Sequence, residues 1–440
     1  MDETRFKIYS LLLVKNEADI IEASLTDACR WSDKIIVIDN GSTDGTWEKI
    51  GELAQRYPQI IPWLRHEGPF HIGLRAKAFR AFRHEMTRRD WWCVRLDADE
   101  FYPGDVRAFL AQVPCGYRTV KKESTDYVLT ENLTQCPLPV KRKERRFMRH
   151  STLLCWSERW RYPHPWGRVW TECIPVNHYQ YRSPEQMAKR FATRQQAKTE
   201  GCGSFRHEQG ESWRDYLVSR EQLHLMELQT RIREVFKQSD QILQKGRNCL
   251  KIIDGNIVVK QFHTPRFPNN WLYAHLRASK AKRSWLHAQA LGELTPEPLF
   301  FREYVQHGLL QDSYYACRLS TLPYTVRQVV RDPQWPQRDQ IMQSVGRLMA
   351  KMHQKGLYAL DFSGGNILVS ADGQQAQLVD INRMRTCRHI DIHKGCRQTS
   401  RLHLTDRDCE QIAHAYAAEQ GWDEAQCLQL IRKHHIAIDK

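Results

Sequence analysis

Hydrophobic residues near the start of the chain come in unbroken runs. Ile8-Tyr9-Ser10-Leu11-Leu12-Leu13-Val14 has no polar face, the pattern of a strand buried on both sides, as in a parallel sheet. The period then changes. Between Ala18 and Trp31, the residues Ile20, Ile21, Leu25 and Ala28 fall on one stripe of a helix. A second buried run, Lys34-Ile35-Ile36-Val37-Ile38-Asp39, breaks into the turn-forming stretch Asn40-Gly41-Ser42-Thr43-Asp44-Gly45-Thr46, and a helix follows through Ile50 and Leu53. Trp91-Trp92-Cys93-Val94 is a third buried run. Strand and helix alternating at this spacing predict a nucleotide-binding α/β sheet.

The second half of the chain has a different pattern. From about residue 200 to 244 it is polar with helical spacing, carrying Leu217, Leu223, Leu225, Leu228 and Ile232. A domain boundary is expected near Ser239, giving domains 1–238 and 239–440. Beyond it, Asp254-Gly255-Asn256 separates two β-rich runs, a hairpin signal. Ser279 to Leu291 reads as a helix, and Gln377-Leu378-Val379-Asp380 as a short strand ending in a carboxylate.

Composition narrows the class. A chain of 440 residues has room for two or three domains. No apolar run approaches the roughly 18 residues needed to span a bilayer, and Met1-Asp2-Glu3-Thr4-Arg5 lacks the apolar core of a secretory signal. The 13 cysteines are scattered, with no Cys-x-x-Cys pair. That favours reduced thiols in a cytoplasm over disulfides or zinc. The formal charge of +15 points to an anionic partner: nucleic acid, an acidic membrane surface or a phosphorylated substrate. No helix-turn-helix, zinc-finger or RNP signature supports nucleic acid.

Candidate chemistry begins where the third run ends, at Arg95-Leu96-Asp97-Ala98-Asp99-Glu100-Phe101. Three carboxylates at a strand end need neutralising charge. A hard divalent cation supplies it; the alternative is a solvated acidic turn. Asp39, at the end of the second run, can accept hydrogen bonds from a base or ribose.

Leu12-Leu13-Val14-Lys15-Asn16-Glu17, the Asp39 to Thr46 stretch and the Asp97-Ala98-Asp99 triplet together resemble the family 2 glycosyltransferases over roughly the first half of the chain. The resemblance implies a GT-A fold that binds a nucleotide-diphospho-sugar with Mg²⁺ or Mn²⁺. Asn16, Glu17, Asp39, Asn40 and Asp97 would meet the nucleotide sugar, and Asp99 the metal. Many members have an aspartate at the position of Asn40. Asn177-His178-Tyr179-Gln180-Tyr181-Arg182-Ser183-Pro184-Glu185-Gln186 resembles the closing motif of the same group, which makes His178 a further metal ligand. Glu100 is the candidate base for the acceptor hydroxyl. The basic run Lys141-Arg142-Lys143-Glu144-Arg145-Arg146, with Trp156, Trp160, Tyr162, Trp166 and Trp170 after it, is either a solvated strand face beside core aromatics or an acceptor site for phosphates and sugar rings.

In the second half, Asp361-Phe362-Ser363-Gly364-Gly365-Asn366 and then Asp380 have the order and spacing of protein-kinase-like phosphotransferases. In such a site Asp361 is the base, Asn366 and Asp380 hold Mg²⁺ with ATP, and Lys260 reaches the α/β-phosphates. Gly246 lies where a phosphate-covering loop belongs. The wording, with Ser279-Lys280-Ala281-Lys282-Arg283-Ser284 and Thr295-Pro296-Glu297-Pro298-Leu299, resembles the lipopolysaccharide kinases that phosphorylate Kdo or heptose. Three departures stand out: Asp380-Ile381-Asn382 replaces the usual triplet, the 279–291 helix has no glutamate to pair with Lys260, and the glycine loop is short.

The expectation is therefore a GT-A domain followed by an α+β protein-kinase-like domain in one cytoplasmic enzyme. It would take a nucleotide sugar, ATP and a lipopolysaccharide core or lipid-linked saccharide at the inner-membrane surface, and no nucleic acid. A glycosyltransferase with a regulatory pseudokinase, and a non-enzymatic basic membrane- or nucleic-acid-binding protein, are the alternatives.

Overall fold

The computed structural model describes residues 6–68, 71, 73–164, 167–199, 212–246 and 248–434. By its contacts the chain divides into two units, Met1–Glu227 and Leu228–Lys440. In chain order the first unit runs β1 (Ile8–Val14), α1 (Ile21–Cys29), β2 (Lys34–Asp39), α2 (Thr46–Arg56), β3 (Ile60–Arg65), α3 (Leu74–Phe82), β4 (Trp91–Leu96), β5 (Glu100–Phe101), α4 (Val106–Ala111), β6 (Tyr117–Leu129), β7 (Gln135–Arg149), β8 (Arg168–His178), α5 (Pro184–Thr199) and the start of α6 (Arg220–Gln238).

Its strands form one mixed sheet in the order β3-β2-β1-β4-β7-β6-β8-β5. β1 pairs in parallel with β2 and β4, and all seven of its residues are buried. Alternate side chains go to opposite faces. Ile8 and Leu12 pack with Leu25, Leu53 and Leu110 in one core, while Tyr9, Leu11 and Leu13 pack with Phe79 and Trp92 in the other. Covering both faces is what removes the polar positions from the run. The carboxyl ends of β1, β2 and β4 share one edge, where open α/β sheets bind ligands.

The division at Glu227/Leu228 falls inside α6, whereas the sequence suggests a boundary at the end of that helix. Leu228, Ile232 and Phe236 are buried at four-residue spacing. The second unit continues with β9 (Ile242–Gln244), β10 (Cys249–Ile253), β11 (Ile257–Phe262), α7 (Asn269–His275), α8 (Lys280–Leu291), β12 (Pro298–Gln306), β13 (Leu309–Arg318), β14 (Tyr324–Thr325), α9 (Val326–Arg331), α10 (Arg338–Gln354), β15 (Leu357–Ala359), β16 (Ile367–Val369), β17 (Ala376–Leu378), β18 (Met384–Thr386), α11 (Ile392–Cys396), α12 (Asp406–Gln420) and α13 (Glu424–His434).

Five strands make a sheet in the order β12-β13-β11-β10-β9, antiparallel throughout. Asp254 and Gly255 both have positive φ, 51° and 73°. This lets Ile253 face Ile257 across a tight hairpin turn. The helices that follow surround a core that includes Val345, Met349, Phe362, Leu378 and Ile412. Among the described residues, no helix is long and apolar enough to cross a membrane.

Candidate active sites

A cavity of about 1120 Å³ opens at the carboxyl edge of the first unit's sheet, and Asn16, Glu17, Asp97, Asp99, Glu100 and His178 line it. Asn16 takes a left-handed conformation, φ 57°. Its amide donates to Ser42 Oγ (2.9 Å), and its Oδ1 accepts from the Thr43 amide (2.9 Å). The Glu17 amide donates to Thr46 Oγ1 at 2.9 Å. The glycine-containing turn after β2 is thus stitched to the end of β1. Glu17 Oε2 receives Arg182 Nη2 at 2.6 Å. Burial, and then repulsion by Asp99, push its pKa up to about 7 against the pull of Arg182.

Asp39 is fully buried. Its Oδ1 accepts from the Ser42 amide at 2.9 Å. Its Oδ2 is a buried acceptor without a partner among the described residues, a costly state for a carboxylate. Asn40 donates from Nδ2 to the Gly68 carbonyl at 3.0 Å, and its Oδ1 is likewise buried and unpartnered among those residues. Neither Asp39 nor Asn40 lines the cavity.

Asp97 and Asp99 divide their partners. Asp97 Oδ1 meets Arg75 at 3.0 Å, and Oδ2 meets Arg95 at 2.7 Å and Arg146 at 3.7 Å. Burial alone would raise its pKa, but the three arginines outweigh it and hold the carboxyl well below the usual range. Asp99 Oδ2 lies 3.4 Å from His178 Nε2 and 3.8 Å from Arg190. The meeting follows from strand pairing, because Glu100 is opposite His178 in the β5–β8 ladder. His178 Nδ1 contacts Asp126 Oδ1 at 2.8 Å. Burial pulls the imidazole pKa down, but Asp99 and Asp126 win and raise it to about 10.

Asp99 and His178 fit a divalent cation. A carboxylate oxygen and an imidazole nitrogen converge, and the second ring nitrogen is fixed by Asp126, as metal-binding histidines require. Among the described residues no group of three His, Cys, Asp or Glu side chains is close enough to enclose a metal. A hard ion there would complete its shell with donor oxygens and water.

Glu100 is 2% exposed, and its Oε1 takes Lys122 Nζ and, at 3.0 Å, Arg146 Nη2. Two cations already neutralise the carboxylate expected to serve as base. Arg146 reaches it through a β-bulge. Phe147 faces Val120 and Arg145 faces Lys121, so Arg146 is an extra residue in β7, which re-aims its side chain under the end of β4. The rest of the basic run splits. Lys141 and Lys143 pair with Glu123, Arg142 pairs with Asp126, and Arg142 and Glu144 line the cavity. Trp156 is buried while Trp160 is exposed; Trp166 lies outside the described residues.

Sequence reasoning missed Arg75, Asp126 and Arg190. Asp126 sits in the apparently plain strand β6, and nothing local marks it. Arg190 is on α5, just past the closing motif, and is the one a longer reading of that motif would have reached.

In the second unit, Lys260 on β11 bonds Asp380 Oδ1 at 2.6 Å. Asn382 Nδ2 donates to the same oxygen. The lysine that lacks a helix glutamate therefore has a carboxylate partner in the loop after β17. Asp380 has φ 55°, and the next residue is tethered to α8, where His287 Nδ1 meets the Ile381 carbonyl at 2.8 Å. His287 was not foreseen. Asn366 Nδ2 donates to the Asp361 carbonyl at 3.1 Å, closing the loop between β15 and β16. Asp361 Oδ1 faces Arg401 at 3.2 Å. Gly246 is in the bend between β9 and β10 with open space around it; its neighbour Arg247 lies outside the described residues.

Residues 11–112 match the family model for Glycosyl transferase family 2, and residues 324–434 match the Lipopolysaccharide kinase (Kdo/WaaP) family. An uncharacterized glycosyltransferase of Rickettsia bellii (strain RML369-C) is 31% identical over 94 residues, a match that spans 21% of this chain and 28% of that protein. Among solved structures the chain is similar to WaaP in complex with acyl carrier protein, at 17% identity and TM-score 0.33, over 46% of this chain and 89% of that one. It is also similar to WbdD with a kinase inhibitor, at 12% identity and TM-score 0.29, over 97% and 83%. The chain carries a family 2 glycosyltransferase segment on an α/β GT-A fold and a lipopolysaccharide-kinase segment on an α+β protein-kinase-like fold.

Proposed function

We propose that this chain is a bifunctional enzyme of lipopolysaccharide core biosynthesis. The first unit transfers a sugar from a nucleotide sugar, and the second phosphorylates a core-sugar hydroxyl with ATP. The observation that carries the reading is that each unit gathers its own reactive cluster: Asp99 with His178 in one, Lys260 with Asp380 in the other.

In the first unit Asn16 and Glu17 border the donor, while Asp39 and Asn40, buried outside the cavity lining, hold the turn after β2 through the Ser42 amide and the Gly68 carbonyl. Asp99 and His178 hold Mg²⁺ or Mn²⁺, which when bound offsets charge on the departing diphosphate. Asp97 borders the donor and fixes Arg95 beside it, while Arg146, fully buried, holds Asp97 and Glu100 in place.

In the second unit Asp361 takes the proton of the attacking sugar hydroxyl. That oxygen bonds the γ-phosphorus as the bond to ADP breaks. Asn366 and Asp380 hold Mg²⁺ with the nucleotide, Lys260 meets the α/β-phosphates as a point charge, and Gly246 lets the β9–β10 bend approach them. The basic balance suits an anionic saccharide lipid at the inner membrane. A second reading, a nucleotide-binding pseudokinase, is favoured by the absence of any acidic residue from α8.

The test combines isothermal titration of ATP·Mg²⁺ with a labelled-phosphate assay on purified core saccharide. Asp361→Ala is expected to spare ATP binding while cutting transfer roughly 10²–10⁴-fold. Wild type that binds ATP but transfers nothing supports the pseudokinase; wild type that binds no nucleotide removes the kinase reading.

A further inference from the structure

Between β11 and α8 the chain does something unusual for a protein surface. Phe267 is 75% exposed, Trp271 42% and Leu276 69%, three large apolar side chains within ten residues. Phe267 is the most exposed large apolar side chain among the described residues. The surrounding charge has one sign. Residues 255–292 contain no aspartate or glutamate, in a chain where acids average more than one residue in ten. Arg266, Arg277 and Lys282 are exposed among the apolar side chains. An acid that does approach, Asp312 beside Thr264, is occupied by Arg233 at 2.8 Å.

The segment is held in place rather than trailing. α7 packs against β13, His275 contacts the Gly308 carbonyl at 3.0 Å, and the rings of Trp271 and His275 meet at a tilt of 41° with centroids 5.2 Å apart. A fixed surface that keeps Phe, Trp and Leu in water is costly unless something covers it.

We propose that this segment is a docking surface for the interface of an anionic lipid bilayer. Aromatic rings partition to headgroup depth, where one side is apolar and the other wet. Arginine and lysine beside them meet lipid phosphates. A nucleic acid would reward the basic residues but not Phe267 or Leu276. The proposal stands whether or not either unit's reaction is as described above, because docking needs neither donor, ATP nor saccharide.

The experiment is co-sedimentation of the full chain with vesicles of neutral phosphatidylcholine, with and without about a third of phosphatidylglycerol, in the absence of substrates. Wild type is expected to bind the anionic vesicles and to be released by salt. The triple variant Phe267→Ser, Trp271→Ser, Leu276→Ser is expected to lose at least about tenfold in partitioning. Each of Arg266→Gln, Arg277→Gln and Lys282→Gln is expected to lose about fivefold at low salt. Because these side chains are exposed, thermal melting of the variants should match wild type. Leu133→Ser, at an exposed apolar position of the first unit, is expected to bind like wild type. Equal partitioning of wild type and triple variant overturns the proposal, as does equal binding to neutral vesicles. So does a triple variant that keeps vesicle binding but loses self-association in sedimentation velocity, since the patch would then be a protein contact.

Discussion

Asp97 and Asp380 are both carboxylates just beyond the end of a short strand, yet the two units hold them by opposite means. Asp97 sits in a clamp of charge: three arginines from α3, β4 and β7 converge on it. Asp380 has one lysine and one asparagine. Its geometry comes from the backbone, through a left-handed turn and the tether from His287 to the next carbonyl. A clamp of many charges is expensive to desolvate, and the loss of one member leaves the others buried and undercompensated. A backbone clamp is cheap, and depends on the few contacts that keep the loop in one shape.

Cutting the chain tests whether each unit folds alone. A fragment 239–440 lacks Leu228, Ile232 and Phe236, which are buried, and the Arg233–Asp312 ion pair. Losing three buried apolar side chains costs about 5–9 kcal/mol, comparable with a whole domain's stability. Circular dichroism melting should find 219–440 folded and 239–440 unfolded or far less stable. Equal melting would exclude α6 from the second unit.

Next in size is Asp99→Ala, which should reduce sugar transfer roughly a thousandfold or more through lost leaving-group stabilisation. ATP binding should be unchanged in isothermal titration. Excess EDTA should have the same effect on transfer in wild type, and full activity in EDTA would remove the metal from the first site.

The units should also part in pH. His353 is buried between Tyr416 OH and Gln398 Oε1, both at 2.8 Å, and burial lowers its pKa from 6.5 to about 4. The fold prefers the neutral ring, so this stability is intact above about pH 6.5 and is lost as pH falls towards 4. About 2 kcal/mol should be gone by pH 5. Urea unfolding of 219–440 at pH 7 and pH 5 measures it, and His353→Gln should flatten the difference. The carboxyls of Asp97 and Asp99 lie below their ordinary values, so their contribution persists until pH falls below about 4.

The smallest effect tests the backbone clamp. His287→Ala removes one hydrogen bond, worth about 1 kcal/mol, and should weaken ATP·Mg²⁺ binding about fivefold, with partial recovery in His287→Asn. No change in affinity would mean that the tether does not hold the loop.

What was legible in the sequence was what depends on local pattern. β1, β2 and β4 were visible because strands covered on both faces have no polar positions. The 254–256 turn was visible because its residues tolerate positive φ. Asp99 and His178 could be paired because two motifs surround them. The partners of the acids were not legible. Arg75, Arg146 and Asp126 are 22 to 52 residues away from the groups they bond, and no periodicity relates them. Glu100 looked like a free acid because Lys122 and Arg146 are brought to it only by the sheet. The end of α6 looked like a boundary because its polar surface hides the stripe that carries Leu228, Ile232 and Phe236.

The extra residue at Arg146 reaches beyond its own ion pairs. In a strand, facing is a matter of odd and even, and an insertion of one exchanges them. With the bulge, Glu144 stands opposite Lys122 and Arg142 opposite Ser124, so a near-neutral pair lines the cavity. If Arg146 instead entered the ladder opposite Lys121, the strand beyond it would slip by one, Arg145, Lys143 and Lys141 would face that way, and the wall would gain three positive charges. Loss of the Arg146 codon alone would keep Arg145 opposite Lys121 and Glu144 opposite Lys122, so it would remove the cation beside Glu100 and leave the facing of the wall unchanged. The bulge thus decides which charges of one strand meet the cavity, by position in the ladder and not by residue type.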